Sequence, residues 1–196
     1  MDKNLERSAT GITVRTGKKN ASEREWIQEI LSEFELVVDS YEQPRERPSD
    51  YQEQKKYYSG KQKRHTLKNQ LIVMPSGQEI VDVEVGETGA TVDIKIWRSR
   101  KTEFSDSQRF QGDKAYVGEP RIDAPHKKTR SQDITLAQKK ENQDKAKKRI
   151  VVEHLIRLVK IFRVAAERFR LNPEKYELII RVVCGLVRWR IGAIVL

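Results

Sequence analysis

The chain has 196 residues, 37% of them hydrophobic and 35% charged, and its 39 lysines and arginines against 29 acidic residues give a formal net charge of +10. This length predicts one globular domain with a core of its own, which we expect to be soluble and cytoplasmic. No stretch reaches the roughly 18 uninterrupted apolar residues of a membrane helix. The polar first residues lack a signal-peptide core, so no membrane partner is expected. The single cysteine, Cys184, excludes a disulfide framework and a cysteine-based zinc site.

Nearly all of the excess positive charge lies in the last quarter of the chain. Residues 145–196 contain 13 basic and 4 acidic residues, whereas residues 1–144 are almost neutral. A basic element on a near-neutral body is typical of a protein that binds a polyanion, although a solvated helix face is an equally good interpretation. Aromatic residues are sparse in this segment, which favours contact with the phosphates of duplex DNA over stacking on single strands.

The first half of the chain predicts a helix followed by strands. The polar residues 1–21 predict a disordered leader, and residues 22–196 predict one folded domain. Hydrophobic spacing predicts a short helix over residues 23–32 and a strand over residues 34–39. Turn residues predict a loop over residues 40–60. A two-stranded hairpin is predicted from residues 65–74 and 79–85.

The second half predicts mainly helices. We expect a short helix over residues 93–100, then a short strand over residues 110–116 and a basic loop over residues 124–135. From Leu136 onward the apolar residues recur at the spacing of an α-helix. We therefore predict one long helix that ends before Asn172. Its apolar stripe consists of Val151, Leu155, Leu158, Phe162, Ala165 and Phe169. A last helix from Glu174 completes a mixed α/β domain.

The residues that could carry chemistry are carboxylates at the ends of predicted strands. Asp39 closes the run FELVVD, Asp113 lies in FQGDKAY, and Glu153 lies on the polar face of the long helix. Acids at neighbouring strand ends, with a third from a helix, can bind two Mg²⁺ ions that promote phosphodiester chemistry. Taken singly, Asp39 also fits a turn residue and Glu153 a salt-bridged helix face. Motifs of zinc hydrolases, dinucleotide-binding folds and P-loops are absent from the sequence.

Several longer motifs occur together between Trp26 and the C-terminus. They are VDSYEQPRERP (38–48), YYSGKQKRHTLKNQ (57–70), GATVDIK (89–95), QRFQGDKAYVGEP (108–120), PHKK (125–128) and RIVVEHLIRLVKIFR (149–163). With these motifs the chain resembles the catalytic part of insertion-sequence DDE transposases, of the insertion-sequence-five type related to the Harbinger group. The last motif contains R-x₃-E-x₆-K as Arg149, Glu153 and Lys160, which looks like the C-terminal signature of these transposases. Ala146 stands where that signature often has a tyrosine.

The resemblance implies an RNase H-like α/β fold, a mixed sheet flanked by helices with long basic helices at the C-terminal end. It implies a DDE triad of Asp39, Asp113 and Glu153, which would be both catalytic and the ligands of two Mg²⁺ or Mn²⁺ ions. Asp93 is a minor candidate ligand, since relatives usually have Gly-Ser-x-His-Asp in this segment and Val92 replaces the histidine.

The implied function is metal-dependent cleavage of DNA at the ends of an element and transfer of the freed 3′-hydroxyl into target DNA. The partners would be double-stranded DNA and further copies of the chain, in association with the nucleoid. The residues expected to contact DNA are Arg149, Arg157, Lys160, Lys127 and Lys128.

Relatives carry an N-terminal helix-turn-helix region that reads the element ends, and this chain is expected to lack it. One alternative is a catalytically decayed remnant that only binds DNA. Another is a nuclease that cleaves DNA without strand transfer.

Overall fold

A computed structural model describes residues 21–128 and 133–193, so most of the predicted leader lies outside the described residues. The strands are β1 (Glu35–Pro44), β2 (Tyr58–Ser59), β3 (Arg64–Val73), β4 (Ile80–Thr88), β5 (Arg109–Gln111) and β6 (Ile122–Asp123). The helices are α1 (Ala21–Ser32), α2 (Tyr51–Tyr57), α3 (Asp93–Arg100), α4 (Leu136–Ile161), α5 (Arg163–Ala166) and α6 (Tyr176–Ala193). Among these helices, none is long and apolar enough to cross a membrane.

The strands form one mixed sheet with β1 in its interior. The order is β2, β3, β1, β5, β6, and β4 also pairs with β3. Strand β3 runs antiparallel to β1 and β4, whereas β5 runs parallel to β1 and β6 parallel to β5. The runs Leu36–Val38 and Leu71–Val73 are buried throughout, as expected for strands covered on both faces. This is the predicted mixed α/β architecture of a sheet flanked by helices.

Alternate residues of the central strands feed two separate hydrophobic clusters, because side chains along a strand point to opposite faces. On one face, Val37 and Leu71 pack with residues of α4 and α6, such as Leu155 and Ile180. On the other face, the cluster contains Leu36, Val38 and Ile72, with Leu31 of α1 and aromatic side chains that include Trp97, Phe110 and Tyr116. Cys184 is buried in the first cluster, as free cysteines commonly are.

Three elements differ from the sequence prediction. Residues 40–60 are not one loop: β1 continues to Pro44, and α2 follows Asp50, whose carboxylate caps the helix by accepting a hydrogen bond from the Glu53 N–H. The strand predicted over residues 110–116 ends at Gln111, and a short 3₁₀ turn occupies Lys114–Tyr116. The long helix begins as predicted, after a capping box between Thr135 and Gln138, but it does not extend to Phe169.

Tertiary hydrogen bonds explain why α4 ends at Ile161. The side-chain amide of Gln43 donates to the carbonyls of Val164 and Glu167, at 2.7 and 2.9 Å. The N–H of Phe169 donates to the Pro44 carbonyl at 2.9 Å. The backbone after α4 is therefore bound to β1 rather than to its own helix. The predicted apolar stripe continues through the break because both segments face the same core.

A buried polar network ties α6 to the sheet. The Tyr176 hydroxyl donates to Oε1 of Gln43 at 3.0 Å and accepts from Nδ2 of Asn69 at 2.7 Å. Oδ1 of Asn69 accepts from the Gly86 N–H at 3.1 Å. Strands β1, β3 and β4 and helix α6 thus share one set of hydrogen bonds, in which each polar group is satisfied by another.

We expect Tyr176→Phe to lower the free energy of unfolding by about 1–3 kcal/mol, because it leaves Gln43 and Asn69 buried with a missing partner. Urea denaturation followed by circular dichroism measures the effect. Tyr51→Phe is the matched control, since the Tyr51 side chain is 64% exposed. Equal stability of the two variants would contradict the role of the network.

Candidate active site

Asp39 and Asp113 are carried by two neighbouring segments of the sheet. In the parallel register of β1 and β5, Val37 is opposite Gln111, the last residue of β5. Asp39 lies two residues after Val37, inside β1, and Asp113 lies two residues after Gln111, beyond the end of β5. The parallel pairing therefore brings both acids toward the edge at which β5 ends, and the carboxyl ends of parallel strands are where ligands commonly bind in α/β folds.

The environment of Asp39 disfavours its negative charge. The pKa of the Asp39 carboxyl is raised from 3.8 to about 6: burial raises it most and the charges of Asp113 and Asp93 contribute, while the Ser40 N–H and Arg149 lower it. The Ser40 N–H donates to Oδ1 of Asp39 at 2.8 Å. A carboxylate held beside other carboxylates in this way is a candidate for binding a cation.

The backbone that carries Asp113 follows a closely packed path. A Cβ on Gly112 would lie 2.7 Å from Cδ2 of Tyr116 and 2.9 Å from Cγ2 of Ile122, so a larger residue would displace the loop. Oδ1 of Asp113 accepts from the Ala115 N–H at 2.7 Å and caps the 3₁₀ turn that follows. Gly112 and this cap together set the direction in which β5 delivers the carboxyl group.

Tyr116 is a residue of the site that the sequence analysis missed. Its buried hydroxyl lies 3.2 Å from Oγ of Ser40 and accepts a hydrogen bond from Nε2 of Gln70 at 2.9 Å. Burial raises the pKa of Tyr116 most, and the charges of Asp93, Asp39 and Asp113 raise it further. The hydroxyl is therefore within the electrostatic reach of all three aspartates. The only signal in the sequence was an aromatic residue three positions after Asp113.

Asp93, the minor ligand candidate, begins α3 and is paired with a lysine. Nζ of Lys68 lies 3.1 Å from Oδ1 of Asp93 and donates to the Thr91 carbonyl at 2.6 Å. The Lys68 side chain is only 9% exposed, so the ion pair is partly shielded from water. The charge of Asp93 is thus balanced within the protein, which distinguishes it from Asp39.

Glu153 faces the same cavity as Asp39 from the helix layer. The cavity has a volume of about 530 Å³, and its lining includes Asp39, Asp93, Glu153 and Lys160, but not Asp113. Glu153 is half-exposed, with Oε1 3.8 Å from a guanidinium nitrogen of Arg149. Within residues 21–128 and 133–193, no three side chains of the His, Cys, Asp and Glu types are grouped closely enough to hold a metal ion as they stand. Asp39, Asp93 and Glu153 thus share this cavity, whereas Asp113 lies outside its lining.

The structure separates the residues predicted to contact DNA into two groups. Lys160 lines the cavity, with Nζ 5.1 Å from the centre of the Tyr41 ring, and Arg149 lies beside Glu153. Arg157, Lys127 and Lys128 are exposed and do not line the cavity, and Lys128 pairs with Asp133 at 2.6 Å. Two further lysines do line it, Lys61 and Lys68. The run GKQKR over residues 60–64 was the signal for Lys61 in the sequence.

Known proteins give two matches. Residues 38–188 match the family described as DDE superfamily endonuclease. The chain is also 30% identical over 161 residues to the probable transposase for insertion sequence element IS702 of Microchaete diplosiphon, an alignment that covers 80% of this chain and 57% of that relative. The chain therefore spans little more than half the length of the relative. No solved structure gives a significant match.

We expect Asp39→Asn to stabilise the protein at pH 8 in EDTA by on the order of 2 kcal/mol, because it removes a buried negative charge. The pKa of Asp39 in the folded protein, about 6, lies above its ordinary value of 3.8, so ionisation costs folding free energy as the pH rises between these values. Below about pH 3 the Asp39 carboxyl is mostly protonated in the folded and the unfolded chain alike, so there the difference between Asp39→Asn and wild type should vanish.

Thermal denaturation at pH 3 and pH 8 measures this effect. Asp144→Asn, at an exposed position of α4, is the matched control and should change stability little at either pH. A loss of stability in Asp39→Asn at pH 8 would show that the carboxylate is stabilising in the metal-free protein.

Proposed function

Because the chain belongs to the DDE superfamily endonucleases, we propose that it is the catalytic domain of a DNA transposase. In this proposal it cleaves double-stranded DNA at the ends of an insertion element and transfers the freed 3′-hydroxyl into target DNA. The folded domain of residues 22–196 would act as a homo-oligomer on paired ends, associated with the nucleoid. The insertion-sequence-five and Harbinger affiliation belongs to the same proposal.

The parallel pairing of β1 and β5 just before Asp39 and Asp113 is the observation that best supports this function. Burial and the charges of Asp113 and Asp93 raise the pKa of Asp39, so a cation bound there would lower the free-energy cost of its negative charge. Glu153 on α4 lines the same cavity as Asp39, which supports including it in the triad, although Asp113 does not line that cavity.

The donor set fits the divalent ions that this chemistry requires. Mg²⁺ and Mn²⁺ prefer carboxylate oxygens, and the three proposed ligands, Asp39, Asp113 and Glu153, provide only these. When bound, two such ions lower the pKa of an attacking water or 3′-hydroxyl and stabilise the charge on the leaving oxygen. Asp93 pairs with Lys68 and would position the neighbouring loop rather than bind an ion directly.

The remaining side chains of the site would orient the DNA. Arg149 and Lys160 lie on the helix that carries Glu153, where their charges would hold the non-transferred phosphates in place for in-line attack. Arg157, Lys127 and Lys128 would extend the contact to phosphates outside the cavity. Tyr116 would keep the Ser40 and Gln70 side chains fixed beneath the aspartates.

A DNA-binding remnant without catalysis is the second candidate, and the basic last quarter of the chain favours it. A net charge of +9 over residues 145–196 would hold DNA whether or not the triad is functional. DNA binding alone therefore does not separate the two functions, whereas dependence of cleavage on a metal does. A nuclease that lacks strand transfer would give cleaved ends without joined products.

Cleavage of a labelled duplex that carries the inverted-repeat end from the flanks of the gene tests the proposal. We expect nicking with Mg²⁺ or Mn²⁺ and none with EDTA. Asp39→Asn, Asp113→Asn and Glu153→Gln should each lower the rate by on the order of a thousandfold, because each removes a proposed metal ligand.

Asp144→Asn, on the same helix as Glu153, serves as the control and should cleave like the wild type. Circular dichroism verifies that every variant is folded. A single triad variant with the wild-type rate would remove that residue from the proposed site. Salt-sensitive binding of DNA with no cleavage under any condition would support the remnant instead.

A further inference from the structure

The turn between β2 and β3 exposes three cations close to the cavity. This basic turn, Gly60–Arg64, contains Lys61, Lys63 and Arg64, and all of its residues are exposed. None of the ion pairs found in the described part of the chain involves these three side chains. Other exposed lysines do pair with acids, such as Lys56 with Glu53 and Lys148 with Glu35.

The basic turn is held in a defined conformation. Tyr58 and Ser59 pair with His65 and Arg64 in the sheet, and the Gln62 N–H donates to Oγ of Ser59 at 3.1 Å. Lys63 adopts a φ of 51°, in the left-handed region that glycine occupies more easily. The turn therefore holds a lysine at a position where the backbone alone would favour glycine.

The basic turn forms one wall of the cavity that contains the proposed catalytic carboxylates. Gly60, Lys61 and Gln62 line the cavity together with Asp39 and Glu153. A Cβ on Gly60 would meet no atom within 4 Å, so the space beside the turn is open. This wall belongs to the hairpin of β2 and β3. The DNA contacts proposed above, Arg149, Arg157 and Lys160 on α4 and Lys127 and Lys128 before it, lie on other elements.

The cavity also brings two lysines from separate elements near each other. Lys61 comes from the basic turn and Lys160 from the last turn of α4, and both line the cavity. Burial lowers the pKa of Lys160 most; Asp39 raises it, and the positive charge of Lys61 lowers it again. Two cations that repel each other across a cleft are stabilised when an anion lies between them.

We propose that the basic turn binds the phosphodiester backbone of duplex DNA beside the phosphate that a water or 3′-hydroxyl would attack at the proposed carboxylate site. The inference deepens the proposed function and rests on it for the location of the attacked phosphate. Lys61 and Lys160 would bind phosphates on the two sides of the cavity, and Lys63 and Arg64 would contact the strand further from it.

DNA binding by a triple variant tests the inference. Lys61→Gln, Lys63→Gln and Arg64→Gln are combined, and the dissociation constant for a duplex is measured in EDTA over a range of salt concentrations. We expect affinity at low salt to fall about tenfold or more. The slope of log affinity against log salt should become shallower by about 0.9 for each phosphate that the variant no longer neutralises.

The matched control removes the same charge elsewhere. Lys101→Gln, Lys139→Gln and Lys175→Gln change three exposed lysines that do not line the cavity. We expect this control to keep most of the wild-type affinity and its slope. Equal reductions in affinity in the two triple variants would overturn the inference, because net charge alone would then explain the effect. An unchanged affinity in the basic-turn variant would overturn it as well.

A second measurement locates the contact. Since Cys184 is buried, Lys61→Cys provides one accessible thiol in the described residues for an iron chelate that cleaves nearby DNA. Cutting well above that from the same chelate on Lys139→Cys, an exposed position away from the cavity, supports the inference, and equal cutting by the two variants overturns it. Both measurements are made without a catalytic metal, so a protein that binds through the turn but never cleaves would refute the proposed catalysis and leave this inference standing.

Discussion

The buried negative charge of Asp39, in the field of Asp113, is the constraint on which the rest of the site depends. Burial, with the charges of Asp113 and Asp93, raises the pKa of Asp39 to about 6, and the parallel pairing of β1 and β5 brings the segment before Asp113 alongside the segment before Asp39. The fold offsets the charge only in part, through the Ser40 N–H and the charge of Arg149. A domain selected for stability alone would favour an apolar or neutral residue at such a position, so the cost itself indicates a binding role.

Strand β3, helix α4 and the basic turn supply the other groups near Asp39 and Asp113. Strand β3 carries Lys68, which balances Asp93, and Gln70, which holds the Tyr116 hydroxyl near the aspartates. Helix α4 places Glu153 in the lining of the same cavity, from the layer of helices that covers the sheet. The acids thus belong to the sheet and to the helix layer, whereas the basic turn belongs to a hairpin. A strand of DNA that enters the cavity would meet all three elements.

The sequence predicted those parts of the fold whose signals are local. The hairpin of β3 and β4 has a proline and glycine turn between apolar runs, and α3 was predicted with its observed bounds. The end of α4 was not predictable, because it depends on hydrogen bonds from Gln43, more than a hundred residues away. The same reason applies to Tyr116 and Lys61, whose importance comes from neighbours that only folding provides. The triad residues were predicted from resemblance to a family, and the register of β1 and β5 places the segments before two of them, Asp39 and Asp113, on neighbouring strands.

Binding of Mn²⁺ to the protein without DNA is the most direct test of this account. Electron paramagnetic resonance counts free Mn²⁺ as it is titrated into the wild type, Asp39→Asn, Asp113→Asn and the control Asp144→Asn. The account predicts that the wild type and the control bind Mn²⁺ alike, and that each of the other two variants binds at least about tenfold more weakly. Equal affinity in all four proteins, or no binding by the wild type, would contradict the claim that the paired aspartates form a cation site.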